Sequence, residues 1–64
     1  MELKASDLRV NVHRAAVAGA VSHVQVTHVP SGMVEADTDA STLKARERCI
    51  ERLRERLVEQ FTRT

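Results

Sequence analysis

The stretch that most constrains the fold is residues 24–32, which read Val-Gln-Val-Thr-His-Val-Pro-Ser-Gly. Apolar and polar residues alternate up to the proline, and this period of two is typical of a β-strand with one buried face. Pro-Ser-Gly then predicts a tight turn, because proline fixes φ and glycine tolerates positive φ. A second extended run begins at Met33. The chain is therefore predicted to contain a β-hairpin on which the remaining elements pack.

The rest of the first forty residues predicts one more strand and a short helix. Residues 7–13 alternate apolar and polar side chains, which indicates a half-buried strand. The alanine-rich segment that follows favours a short helix at about residues 14–22. The hairpin itself supplies strands at about residues 23–29 and 33–37.

The last third of the chain predicts a long helix at about residues 41–61. Asp39 and Ser41 are the candidates to cap its first free N–H groups. Apolar residues recur at intervals of three, four and seven, which places them in one stripe together with Arg46. We interpret Cys49, beside this stripe, as a packing residue. The other apolar members of the stripe are Leu43, Ile50, Leu53, Leu57 and Phe61.

The predicted order is β-α-β-β-α, an α+β fold in which the long C-terminal helix packs on a three-stranded sheet in two layers. We expect residues 1–64 to form one small domain, which at this length buries only about 60% of its unfolded surface. One cysteine excludes an internal disulfide. No apolar run is long enough for a membrane span or a secretion signal, so we expect a cytoplasmic protein.

The net charge of +1 hides an uneven distribution. Residues 1–40 hold three basic and five acidic residues, whereas residues 41–64 hold seven basic and four acidic ones. The basic side chains of the long helix are therefore the candidate contacts to a phosphate-bearing partner. The alternative is a solvated face on which they pair with glutamates three residues away, which themselves repel phosphate. The candidate RNA-binding residues are Arg46, Arg48, Arg52, Arg54 and Arg56.

Three segments resemble the catalytic domain of class I peptide chain release factors and their ribosome-rescue relatives. The hairpin reads Val-Thr-His-x-Pro-Ser-Gly-x-Val, where the family has roughly Val-x-Ile-Thr-His-x-Pro-Thr-Gly-Ile-Val-Val. Residues 7–15 resemble the family's first strand, Asp-Ile-Arg-Ile-Asp-x-x-Arg-Ser. Residues 41–50 resemble its helix start, Ser-Gln-x-x-Asn-x-x-x-Ala-Leu. The resemblance extends over nearly all of residues 7–58 and implies the same order of elements.

One departure from the family bears on activity. Family members hydrolyse peptidyl-tRNA with a Gly-Gly-Gln loop between the first and second strands. Residues 15–23 hold that place here, with one glycine and no glutamine. The Gln and Asn of the family's helix start are replaced by Thr42 and Ala45. The resemblance therefore implies a short form that lacks the Gly-Gly-Gln loop, and we expect neither catalytic residues nor enzymatic activity.

Three functional hypotheses follow. The leading one is a non-catalytic module, bacterial or phage in origin, that binds the translation machinery (ribosome, ribosomal RNA or tRNA) by occupancy. The alternative is a small homo-oligomeric protein-interaction module, such as a homodimer, that reuses the scaffold without binding ribosomes. An enzymatic hypothesis assigns the chemistry to Ser22 or His23. The histidines and the cysteine show no metal-binding spacing, so we expect no metal and no cofactor.

Overall fold

The computed structural model describes residues 3–14, 17 and 19–62, with Phe61 described by its backbone alone. The strands form one antiparallel sheet in the order β1-β2-β3, and the helix α1 packs on β2 and β3. The predicted α+β class, with a three-stranded sheet and a long C-terminal helix, is confirmed. The elements are a 3₁₀ turn (Ala5–Asp7), β1 (Leu8–Arg14), β2 (Ser22–His28), β3 (Met33–Asp39) and α1 (Thr42–Thr62).

The hairpin between β2 and β3 forms where the Pro-Ser-Gly motif predicts it. Gly32 has a φ of +76°, and its N–H donates to the carbonyl of His28 at 2.8 Å. The hydroxyl of Ser31 accepts the N–H of Met33 at 3.2 Å and lies 2.7 Å from Nδ1 of His28. His28 and Ser31 therefore tie the turn to the end of β2.

The third strand is longer than its predicted range of 33–37. It continues to Asp39, which pairs with Ser22, the first residue of β2. The prediction ended the strand early because aspartates are frequent in turns and rare in strands. Here the acidic side chains remain in the strand because arginines of α1 face them.

The short helix predicted at residues 14–22 is wrong in its described part. Arg14 and Ser22 pair with each other as the last rung between β1 and β2, so both ends of the predicted helix belong to strands. Gly19 has a φ of +77°, which is incompatible with a right-handed helix. The preference of alanine for helices is a weak signal that the strand pairing overrides. Residues 15, 16 and 18 of this prediction lie outside the described residues.

The core lies between β2 and α1. Val24 and Val26 of β2 are fully buried against Cys49 and Leu53 of the helix. Ala45 is also buried, and its small side chain lets the first turns of α1 lie close to the sheet. Burial raises the pKa of the Cys49 thiol, which fits its interpretation as a packing residue.

The buried line of α1 differs from the predicted stripe. Leu43 is 53% exposed and Ile50 is only partly buried, while the side chain of Phe61 lies outside the described residues. Arg46 is exposed. No helix in the described part of the chain is both long and apolar enough to cross a membrane. The buried line consists of Ala45, Cys49, Leu53 and Leu57, four residues apart.

The first turn of α1 is fixed by side-chain hydrogen bonds. The hydroxyl of Ser41 accepts the N–H of Lys44 at 3.3 Å, which makes Ser41 the N-cap. Asp39, the other candidate, accepts the N–H of Ser41 at 2.8 Å through Oδ1. The hydroxyls of Ser22 and Thr42 lie 2.6 Å apart and join the helix start to β2. Both predicted capping residues therefore accept a hydrogen bond at the helix start. Ser41 accepts one from the first turn of α1, and Asp39 accepts one from Ser41.

Candidate nucleic-acid interface

The five candidate arginines lie on two sides of the buried line of α1. At 100° per residue, Arg48, Arg52 and Arg56 project to one side, which we call the β3 flank. Arg46 and Arg54 project to the other side, toward β1, which we call the β1 flank. The helix therefore divides the predicted RNA-binding set into a group of three and a group of two.

Acidic residues of β3 face the group of three. Because side chains alternate along a strand, Glu35, Asp37 and Asp39 share the face of the sheet that also carries Val24 and Val26. Two strand residues advance about 6.6 Å and four helix residues about 6 Å, so carboxylates at every second position match arginines at every fourth. This arrangement, with Arg48, Arg52 and Arg56, is the ion-pair ladder.

Arg48 forms the rung nearest the start of the helix. Its Nε donates to Oδ2 of Asp37 at 2.5 Å, and its Nη2 lies 2.8 Å from Oδ2 of Asp39. Nη2 also donates to the backbone carbonyl of Thr38 at 3.2 Å. One guanidinium thus binds two carboxylates and the strand backbone, which uses the fixed fork of donors that arginine carries.

Arg52 and Arg56 form the remaining rungs. Nη2 of Arg52 lies 3.1 Å from Oδ2 of Asp37, and Nη1 lies 3.7 Å from Oε1 of Glu35. Nη1 of Arg56 donates to Oε2 of Glu35 at 2.7 Å. Each arginine also donates to a carbonyl of β3, at residues 36 and 34 respectively. Neighbouring rungs share carboxylates, so the ladder is one connected network.

The ladder shifts the pKa values of Asp37, Asp39 and Arg48. The hydrogen bond from Arg48, followed by the N–H of Thr38, lowers the pKa of Asp37 below its usual value. The N–H of Ser41, followed by Arg48, lowers the pKa of Asp39. Hydrogen bonds to the same two carboxylates raise the pKa of Arg48. Asp37 and Asp39 therefore stay charged at neutral pH and below.

The ladder itself has no formal net charge, since three arginines face three carboxylates. Phosphate would have to compete with these carboxylates for Arg48, Arg52 and Arg56. Arg46 and Arg54 are exposed and form no ion pair within the described residues. The structure therefore leaves two of the five candidate arginines free to bind an external anion.

The outward face of α1 is acidic. Glu47, Glu51 and Glu55 are exposed and form no ion pair in the part of the chain that the structure describes. The predicted pairing of Arg48 with Glu51, and of Arg52 with Glu55, is therefore replaced by the ladder. These glutamates would repel a phosphate group that approached the outward face.

Ser22 and His23 lie on opposite faces of the sheet, because adjacent residues of a strand alternate. Ser22 is fully buried and its hydroxyl contacts that of Thr42, whereas His23 is exposed. The two side chains cannot act together on one substrate. Ser22 instead joins the start of α1 to the sheet.

Sequence reasoning missed Glu35, Asp37 and Asp39 as the partners of the arginines. A signal was present: acids at every second position of a predicted strand and arginines at every fourth position of a predicted helix. The two patterns become complementary only when the helix lies antiparallel to the strand with its buried line over β2.

Comparisons with known proteins relate the chain to one segment of peptide chain release factors. The whole chain aligns with peptide chain release factor 1 of Leptospira biflexa serovar Patoc, at 37% identity over 71 residues and 20% of that protein. Peptide chain release factor 2 of Aeromonas hydrophila subsp. hydrophila aligns at 35% identity over 66 residues, covering 92% of the chain and 18% of the relative. Peptide chain release factor 2 of Chlamydia abortus aligns at 33% identity over 68 residues, covering 95% of the chain and 18% of the relative.

The chain spans about a fifth of the length of these relatives. No protein-family model and no solved structure matches it. The alignments support a release-factor-related domain, the relation that the hairpin motif predicts. They concern a segment, so the activity of the complete release factors does not transfer with them.

Proposed function

We propose that this chain is a non-catalytic, release-factor-like module that binds the translation machinery by occupancy. Its proposed partner is the ribosome, through ribosomal RNA or tRNA, and this partner implies a cytoplasmic location. The proposal requires no cofactor. The observation that carries it is the alignment of the whole chain with one segment of two kinds of release factor.

The segment between β1 and β2 supports the non-catalytic part of the proposal. The resemblance to release factors implies that hydrolysis needs Gly-Gly-Gln at this place. Residues 15–21, which join the two strands, contain a single glycine and no glutamine. The chain thus combines a release-factor-like sheet and helix with a connection that lacks the residues of that reaction.

The β1 flank supports the binding part of the proposal. Arg46 and Arg54 lie two helical turns apart, about 12 Å along the helix axis. Both guanidinium groups are free of carboxylates among the described residues. We assign the phosphate contacts to these two residues and assign Arg48, Arg52 and Arg56 to holding α1 on β3.

Co-sedimentation of the purified chain with ribosomes at low and high salt tests the proposal. We expect binding that weakens with salt, because phosphate contacts release counterions. The double variant Arg46→Gln/Arg54→Gln is expected to weaken binding and to lower the slope of log affinity against log salt by about one for each arginine. Thermal unfolding of the variant checks that the fold is intact.

Arg9→Gln is the control for the position of the charge, since it removes one positive charge, half the loss of the double variant, from the sheet face opposite α1. The control is expected to bind like the parent. Absence of binding at low salt would refute the proposal. If the melting temperature then rose with protein concentration, the homo-oligomer hypothesis would take its place. Turnover of peptidyl-tRNA above the buffer rate would refute the non-catalytic assignment.

A further inference from the structure

The face of the sheet opposite α1 brings two histidines together. His13 of β1 and His23 of β2 are direct cross-strand partners. Their ring centroids lie 6.4 Å apart with the planes tilted by 42°. Both side chains are exposed on the face that α1 leaves uncovered. They are ten positions apart in sequence, so only the strand register makes them neighbours.

The nearest neighbours of the pair on this face are polar and uncharged. The next rung on the same face is Asn11 and Gln25, whose amide oxygens are neutral acceptors. Thr38 of β3 lies beside His23. Arg9, near the other end of β1, is the only basic residue on this face in the described strands besides the histidines.

Imidazole nitrogen is a preferred ligand of copper, nickel and zinc. Metal–nitrogen bonds of about 2.0–2.1 Å place two rings on one ion with their centroids about 5 Å apart. The observed separation of 6.4 Å is therefore slightly wider than a chelating pair. Rotation of two exposed side chains about their χ angles closes that difference without moving the strands.

We propose that His13 and His23 form a two-histidine site for one late divalent transition-metal ion per chain, Cu²⁺, Ni²⁺ or Zn²⁺. Within the described residues no group of three or more His, Cys, Asp or Glu side chains is placed to hold a metal. Water therefore completes the coordination, and the site lacks the four protein ligands of a structural zinc site. The proposal is independent of ribosome binding.

The position of the site suggests what the ion does. His13 is the last residue but one of β1 and His23 is the second residue of β2. An ion held by both side chains would link the strands at the base of residues 15–21, the segment that replaces the release-factor loop. Because the unfolded chain does not hold the pair in register, binding stabilises the folded state.

Titration of the ¹⁵N-labelled chain with Ni²⁺ tests the site. Paramagnetic Ni²⁺ is expected to broaden the amide signals around His13 and His23 first, with saturation at one ion per chain. The melting temperature should rise with Ni²⁺. Cu²⁺ should bind more tightly than Ni²⁺, following the order of stability for nitrogen ligands. Mg²⁺ should have no effect, since it prefers oxygen ligands.

His13→Asn and His23→Asn are each expected to abolish both responses while leaving the metal-free melting temperature unchanged. His28→Asn is the matched control, because His28 contacts Ser31 in the turn rather than the pair. The control should retain the response to Ni²⁺. Broadening centred elsewhere in the parent, saturation at one ion per two chains, or a response that survives in both variants would overturn the proposal.

Discussion

The two flanks of α1 meet the same sheet in different ways. On the β3 flank, the ion-pair ladder closes the edge between helix and strand with three arginines and three carboxylates. On the β1 flank, the strand offers valines, and Val10 and Val12 remain 41% and 50% exposed. One edge of the domain is thus closed by charge, while the other is apolar and open.

The difference follows from what the edge strands carry on the helix-facing side. Acidic residues that point inward from an edge strand discourage another strand from pairing there. β3 has three such residues, and the arginines of α1 neutralise them without removing that protection. β1 places Val10 and Val12 at the positions equivalent to Glu35 and Asp37, and Arg14 at the position equivalent to Asp39. The arginines of α1 therefore differ in their surroundings. Those that face β3 have carboxylate partners, and those that project toward β1 have none among the described residues.

The size of each effect can be ranked. The ladder arginines are 44–47% exposed, and exposed ion pairs contribute little to stability. The buried line of α1 contributes far more, because it removes apolar surface from water. Substitutions in the buried line should therefore lower the free energy of unfolding more than charge reversals in the ladder. Those reversals should in turn lower it more than the neutralisation of a single charge.

The largest effect is expected for Leu53→Ala, at the centre of the buried line. Leu53 is fully buried, so truncation should lower the free energy of unfolding by about 2–5 kcal/mol. Val58→Ala, on the β1 flank four residues after Arg54, should cost less than about 1 kcal/mol because Val58 is 41% exposed. Urea unfolding measures both. Leu53→Val provides a milder substitution should the alanine variant not fold.

Equal costs at Leu53 and Val58 would show that the β1 flank is closed and that the comparison of flanks is mistaken. A 64-residue domain has a small stability margin, so the free energy of unfolding should be compared at several urea concentrations rather than by extrapolation alone.

A charge reversal on each flank should have the next largest effect. Arg52→Glu places a further carboxylate beside Glu35 and Asp37, and should lower the urea midpoint more at low salt than at high salt. Arg54→Glu, two residues later on the β1 flank, should stay within about 0.5 kcal/mol of the parent. If Arg52→Glu and Arg54→Glu had the same urea midpoint at low salt, that result would contradict a structural role for the ladder.

Sequence reasoning reached the fold through its local signals. The Pro-Ser-Gly turn and the alternation of residues 24–29 predict the hairpin, and the apolar recurrence predicts α1. The failure at residues 14–22 has a physical cause, since helix propensity is local whereas the pairing of Arg14 with Ser22 depends on the whole sheet. Pairing between strands cannot be read from alanine content.

The sequence identified the arginines of the candidate site but not the residues that they contact. The sequence placed five arginines on one helix, and rules for helix surfaces paired them with glutamates three residues away. The actual partners of Arg48 are 9 and 11 residues away, on a strand. The His13–His23 pair was missed for the same reason, because spacing rules for metal ligands describe helices and loops better than cross-strand neighbours.

The smallest effect is expected for Asp37→Asn, measured as the pH dependence of stability. The pKa of Asp37 is lowered in the folded state. Its contribution is therefore present above the unfolded pKa of about 3.9 and is lost as the pH falls through the lower folded value. The parent should lose stability between about pH 5 and pH 2. The variant should be slightly less stable at pH 7 and should lose less on acidification.

Glu55→Gln is the control for that experiment, because it removes one negative charge from the outward face without touching the ladder. Its difference in stability between pH 7 and pH 3 should match the parent's more closely than that of Asp37→Asn. If Asp37→Asn and Glu55→Gln instead followed the same curve, the carboxylates of β3 would contribute no more than solvent-exposed charges. The packing of α1 on β3 would then depend on the buried line of the helix alone. Arg48 would be as free to bind phosphate as Arg46.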